Sequence, residues 1–143
     1  MKRAVFDTNV VVAGFLSPTG PPGRIVEWLR IGEVQVVVDD RIVAEYAEVL
    51  ARTVFRLPTP EVEVVLARIR AQAFAVEAAA IHLTPSLPDP DDAPFLECAK
   101  AAGVPLVTGN IRHYPQSATG GVRVLTPAQF VASRRSQPHA RSE

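Results

Sequence analysis

The sequence predicts an α/β fold on a mainly parallel sheet. Short continuous apolar runs, "RAVFD", "VQVVVDD", "VPLVTG" and "VRVL", alternate with longer stretches whose apolar residues recur at helical spacing. Strands that read as unbroken apolar runs are those covered on both faces, as parallel strands flanked by helices are. Moreover, three of the runs end in polar residues, in "FDTN", "VVDD" and "VTGN". In parallel α/β folds, functional groups collect at the carboxyl ends of strands.

Each element has its own local reason. "RAVFD" is a short buried strand, and "NVVVAGFLS" a helix that starts under an Asp7-Thr8-Asn9 cap. "PTGPPG" is a loop. "RIVEWLRIG" carries Ile25, Val26, Trp28 and Leu29, with Gly32 as its stop. "VQVVVDD" is the second strand. In "DRIVAEYAEVLAR", Ile42, Val43, Tyr46, Val49 and Leu50 fall on one helical arc. "TPEVEVVLARIRAQAFA" is a helix with Thr59 as cap, Pro60 at its first position and Glu63 in its first turn. "VEAAAIHL" is a short edge strand and "TPSLPDPDDAP" a loop. "FLECAKAAG" is a helix ending at Gly103. "VPLVTG" is a strand, "NIRHYPQSATGG" a loop, "VRVL" a strand and "TPAQFVAS" a last capped helix. Residues 1–132 are expected to form one domain. The polar, aperiodic tail 133–143 is expected to be disordered.

Composition sets bounds. The chain's 143 residues suit one core, and 48% apolar content with only 6% aromatic residues makes that core mainly aliphatic. Fifteen basic and fifteen acidic residues balance, which argues against a strongly basic nucleic-acid binder. An acidic metal site offsetting a basic groove gives the same sum. The single cysteine, Cys98, excludes an internal disulfide and a Cys-rich zinc site. No apolar run approaches the ~20 residues of a membrane span. The start lacks a signal-peptide pattern, so the expected location is cytoplasmic.

The polar strand ends carry the chemistry. Asp7 reads either as an N-cap or as a metal ligand. Glu45 lies ~100° from the centre of its helix's apolar arc, at the border of the buried face. It reads as a residue reaching over the sheet edge or as a surface partner of Arg41 or Arg52. In "PDPDDAPFLECAKAAG", a helix starting near Asp91 buries Phe95, Leu96, Ala99 and Ala102, and Asp92 projects into that arc. A carboxylate there is costly unless paired or bound to a cation. Pro94 confines the helix start to these aspartates. Thr108 and Asn110 follow a buried strand, and Asn110 reads as a turn residue or as a partner of a carboxylate or bound water. Oxygen donors from separate elements at one sheet edge suit Mg²⁺ or Mn²⁺ and metal-assisted phosphodiester hydrolysis.

"AVFDTNVVVAGFL", "EYAEVLAR", "LPDPDDAPFLECAKAAGVPLVTGN" and "NIRHYP" together resemble the PIN-domain nucleases, over roughly residues 2 to 130. More narrowly, they resemble the branch holding the toxins of toxin–antitoxin pairs. The resemblance implies a three-layer α/β/α sandwich and Mg²⁺- or Mn²⁺-dependent RNA cleavage. It also implies frequent homodimers and, for toxins, a cognate antitoxin partner. It places the catalytic positions on Asp7, Glu45, Asp92 and Asn110, with Asp7, Glu45 and Asp92 toward the metal. Thr8, Asn9, Asp89, Thr108 and His113 support them, although His113, ahead of Tyr-Pro in a loop, reads as readily as a residue that packs or caps. The fourth position, often Asp in the wider family, is Asn110 here, and His113 stands where some members have a later aspartate. Arg24, Arg41 and Arg112 are candidates to hold RNA phosphate. Exposed apolar positions on "VEVVLARIRAQAFA" favour a homodimer.

The leading reading is thus a metal-dependent endoribonuclease, the toxin of a toxin–antitoxin pair. The alternative is a weak or inactive PIN-like module that binds RNA or protein. A haloacid-dehalogenase-type phosphatase needs a second Asp where Asn9 stands, and no G-x-G-x-x-G supports a dinucleotide fold.

Overall fold

The computed structural model describes residues 2–77 and 87–135, except the side chain of Arg135. Among them are five strands in one sheet and six α-helices. In chain order these are β1 (Lys2–Phe6), α1 (Thr8–Leu16), α2 (Pro21–Ile31), β2 (Val34–Val38), α3 (Asp40–Leu50), α4 (Thr59–Gln72), β3 (Phe74–Ala75), α5 (Ala93–Ala102), β4 (Leu106–Val107), β5 (Val124–Leu125) and α6 (Pro127–Arg135).

Every strand pair is parallel, in the order β3-β2-β1-β4-β5. The chain starts at the centre, runs outward to β3, then returns to lay β4 on the other side of β1. The order therefore reverses between β1 and β4, where open α/β sheets place their ligand crevice. Register is set by Ala4 facing Val36 on one side and by Val5 and Phe6 facing Leu106 and Val107 on the other. One layer holds α2, α4 and α6, with α2 touching both others. α5 packs against β1 and β2, and the right-handed rule for parallel crossovers predicts it on the opposite face once the strand order reverses. The expected α/β architecture with a parallel sheet is what the chain forms.

The core follows from this sandwich. Val5, Phe6, Val37, Leu106 and Val107 are fully buried in the sheet. Phe130 of α6 meets Phe6 edge-on at 5.4 Å and Trp28 of α2 at 6.3 Å, tying the last helix to the first strand. Tyr46 of α3 is fully buried and donates its hydroxyl to the Phe6 carbonyl, fixing α3 to the end of β1. Cys98 is also fully buried, and burial pushes its thiol up to about 12, so it packs rather than reacts. Gly32 and Gly103 end their helices at φ 80° and 67°, as their positions predict. No described helix is long and apolar enough to cross a membrane.

Several local expectations change. Pro21 and Pro22 start α2 instead of lying in a loop, since proline suits a first helical turn. Pro58, not Thr59, precedes α4. The helix expected to run through Ala75 stops at Gln72, because Phe74 and Ala75 pair with Val37 and Val38 of β2. Sheet pairing overrides the helical propensity of "AQAFA". The edge strand thus comes earlier than expected; Val76 only donates its amide to Val38, and residues 78–83 of "VEAAAIHL" lie outside the described residues. The α-helix expected from Asp91 begins at Ala93, after a single 3-10 turn over Pro90–Asp92. Of the tail, Ser133 to Arg135 complete α6, and 136–143 lie outside the described residues.

The placement of α1 governs the crevice, because the first residues of this helix border it. A Cβ on Gly14 would sit 2.3 Å from Val26 Cγ2 and 2.6 Å from the Pro22 carbonyl oxygen. Helix propensity alone favours Ala over Gly by ~1 kcal/mol. Overpacking at a helix contact costs ~1–3 kcal/mol. Gly14→Ala is therefore expected to be net destabilising by about 1–2 kcal/mol in urea unfolding; a neutral or more stable variant would contradict the tight α1–α2 contact.

Candidate functional site

Asp7 ends β1 at the reversal point. Its amide donates to Val107 across the strand pair at 2.9 Å, so the sheet itself holds the residue in place. Asp7 occupies the N-cap position of α1, yet its side chain makes no capping bond. Instead Oδ2 accepts from the Thr108 hydroxyl at 2.9 Å and from the Tyr114 hydroxyl at 3.0 Å. The residue is 5% exposed. Burial raises its pKa; the Thr108 and Tyr114 hydrogen bonds, the Thr8 amide and the charge of His113 oppose that rise.

The neighbouring polar residues do not cap either. Thr8 donates its hydroxyl to Glu45. Asn9 accepts from the Gly109 amide at 2.9 Å and donates weakly to Thr108 at 3.4 Å. Thr108, at 0% exposure, is the hub of this edge: it also accepts from the Asn110 amide at 3.1 Å. Asn110 thus joins the network through its backbone. Asn9 and Thr108 lace the start of α1 to the end of β4.

Half-buried Glu45 faces this crevice from α3. Its pairing with Arg41 or Arg52 is not what forms. Arg52 binds the exposed Glu48, and Arg41 binds Asp39 and Glu97. Burial raises the Glu45 pKa, the Thr8 bond opposes it, and the charges of Asp7 and Asp91 raise it further. Asp92 comes from the turn before α5, with a side chain 13% exposed. It meets His113 Nδ1 at 2.9 Å. Asp89 accepts from the Asp91 amide at 3.0 Å, capping its own turn. One potential ligand atom each from Asp89, Asp92 and His113 lie within 4.8 Å of one another, a spacing that one cation could bridge. Asp7 and Glu45 stand outside that group but within its field, as Asp7 raises both Glu45 and Asp92.

Arg24 on α2 and Arg112 in the Ile111–His113 turn are exposed and form no ion pair among the described residues. Arg41 is committed to its two carboxylates. With Arg70 and Asp39 it lines a separate cavity of about 1000 Å³ at the ends of β2 and β3. One contributor escaped sequence reasoning. Tyr114 carried no signal, because its role depends on the path of an irregular loop. His113 did carry one, the "NIRHYP" segment after a strand end, but the segment reads equally well as packing and does not point to Asp92.

Carboxylates gathered at one edge, where the charge of Asp7 raises Glu45 and Asp92 and an imidazole meets Asp92, are a donor set that fits a divalent cation. The family model for the PIN domain matches residues 3–112. No curated protein and no solved structure matches the chain.

The electrostatics make a pH prediction. Burial and then the charge of Asp7 push the Asp92 carboxyl up to about 6, with Asp89 adding and His113 opposing. The unfolded value is ~3.9. A raised carboxyl keeps its proton longer in the folded state, so this group costs nothing below ~4 and its penalty grows as pH rises to about 6. Without divalent cations, the melting temperature of Asp92→Asn relative to wild type should therefore rise between pH 4 and 7. A difference that is constant with pH would contradict this assignment.

Proposed function

Because the chain belongs to the PIN-domain family, whose members are in general metal-dependent nucleases, we propose that it is a Mg²⁺- or Mn²⁺-dependent endoribonuclease. The observation that carries this reading is the buried Asp7 carboxylate at the sheet's reversal point, sharing one negative field with Glu45 and Asp92. In this reading Asp7 and Asp92 hold the cation, with Glu45 completing the set or orienting water. Asp89 and His113 flank Asp92. A bound divalent cation supplies Lewis acidity toward a phosphate oxygen and makes water more acidic.

The chain's own residues do the rest. Thr108 and Tyr114 orient the Asp7 carboxylate, and Thr8 orients Glu45. Asn9 and Asn110 brace Thr108. Arg24 and Arg112, both exposed, meet RNA phosphate in this reading. Arg41 serves there only if substrate displaces it from Asp39 or Glu97.

Resemblance to the toxin branch extends the proposal to a cytoplasmic toxin with a cognate antitoxin. Val64 on α4, 49% exposed, supports a homodimer. Asn110, which contributes its amide where the wider family often has Asp, favours a second reading: a catalytically weak module that binds RNA or protein.

Incubating the protein with single-stranded RNA and Mn²⁺ or Mg²⁺ separates the two. Cleavage is expected, abolished by EDTA and reduced to the metal-free background by Asp7→Asn or Asp92→Asn. Cleavage that survives EDTA or Asp7→Asn contradicts the nuclease reading.

A further inference from the structure

The β4–β5 connection contains no α-helix. It has two 3-10 turns, Ile111–His113 and Gln116–Ala118, in place of the usual helical crossover between parallel neighbours. This path lets two consecutive side chains grip two carboxylates from different parts of the fold. His113 Nδ1 lies 2.9 Å from Asp92 Oδ2, ahead of α5. The Tyr114 hydroxyl donates to Asp7 Oδ2 at 3.0 Å, at the end of β1.

The two carboxylates repel, and the charge of Asp7 is one cause of the raised Asp92 pKa. Repulsion alone would spread them in the absence of a cation. Consecutive residues have Cα atoms only ~3.8 Å apart, so a grip by adjacent side chains ties one carboxylate to the other. Tyr114 is 2% exposed and Asp7 5%, so their hydrogen bond is an interior contact protected from water. The Thr108 hydroxyl on the same oxygen leaves Asp7 little rotational freedom. Both gripping residues lie beyond residue 112, where the family match ends.

Resting on the nuclease reading of this site, we infer that Tyr114 is a positioning residue: with His113 beside it, it holds Asp7 at a set spacing from Asp92, so that a divalent cation meets a prearranged site. Tyr114 acts through Asp7 and touches no reacting atom. Groups behind metal ligands typically change affinity roughly 10–100-fold when removed.

The test is calorimetric titration of the full chain with Mn²⁺, alongside melting without cation. Tyr114→Phe removes one oxygen and keeps the ring in the core. It is expected to weaken Mn²⁺ binding roughly 10-fold or more, with the cation-free melting temperature lowered only by the few degrees that one buried hydrogen bond contributes. Unchanged affinity in Tyr114→Phe, with binding abolished in Asp7→Asn, overturns the positioning role alone, and so does a lowered melting temperature at full affinity. Wild-type affinity in both Asp7→Asn and Asp92→Asn overturns the nuclease-site reading instead. His113→Gln provides a second arm, since its side chain is 42% exposed and outside the core. It frees Asp92 and should also weaken Mn²⁺, and full affinity there overturns the paired grip.

Discussion

The hydrogen bond from Thr108 to Asp7 is the contact on which the rest of this edge depends. A carboxylate at 5% exposure is costly to keep charged unless donors surround it. The sheet supplies those donors because β1 and β4 are neighbours: Asp7 donates its amide to Val107, and the next residue is Thr108. Parallel pairing at the reversal point thus brings residues 101 positions apart in sequence into one hydrogen bond. Remove β4 from beside β1, and Asp7 loses both its backbone anchor on Val107 and the Thr108 donor.

Around this bond the polar groups settle in order of burial. Thr108 serves Asp7 and is served by Asn9 and Asn110. Thr8 is diverted from capping α1 to holding Glu45. The first turn of α1 therefore gives up side-chain capping, which elsewhere contributes ~1 kcal/mol, in favour of the crevice. Asp39 at the end of β2 shows the opposite outcome. Burial pushes its carboxyl up, but Arg41, the Ile42 amide and Cys98 outweigh this and hold it below the usual range. Two strand ends that look alike in sequence thus differ: Asp39 has its cation within the protein, whereas Asp7 has only hydroxyls and amides.

Much of this was legible from residue patterns. The alternation of apolar runs and helices revealed the parallel sheet, and the burial arc of α3 placed Glu45 at its border. The acidic turn before α5 stood out because one helix start needs fewer aspartates. What could not be read was anything that depends on the loop path. Tyr114 reaches Asp7 across 107 residues of sequence, and no local spacing encodes that. Nor did composition reveal β3, since "AQAFA" is helical by propensity and its last two residues, Phe74 and Ala75, become a strand only because β2 offers an open edge. The DTN triplet read well as a cap; only the position of Thr108 and Glu45 shows where those side chains turn.

The central claim is that Asp7 and Asp92 face one divalent cation, and anomalous diffraction from a crystal soaked in Mn²⁺ tests it most directly. The account predicts a manganese peak within coordination distance, roughly 2.0–2.6 Å as for hard divalent cations, of both an Asp7 and an Asp92 carboxylate oxygen. A peak held by Asp39 and Glu97 instead, or none at these carboxylates at saturating Mn²⁺, would contradict it.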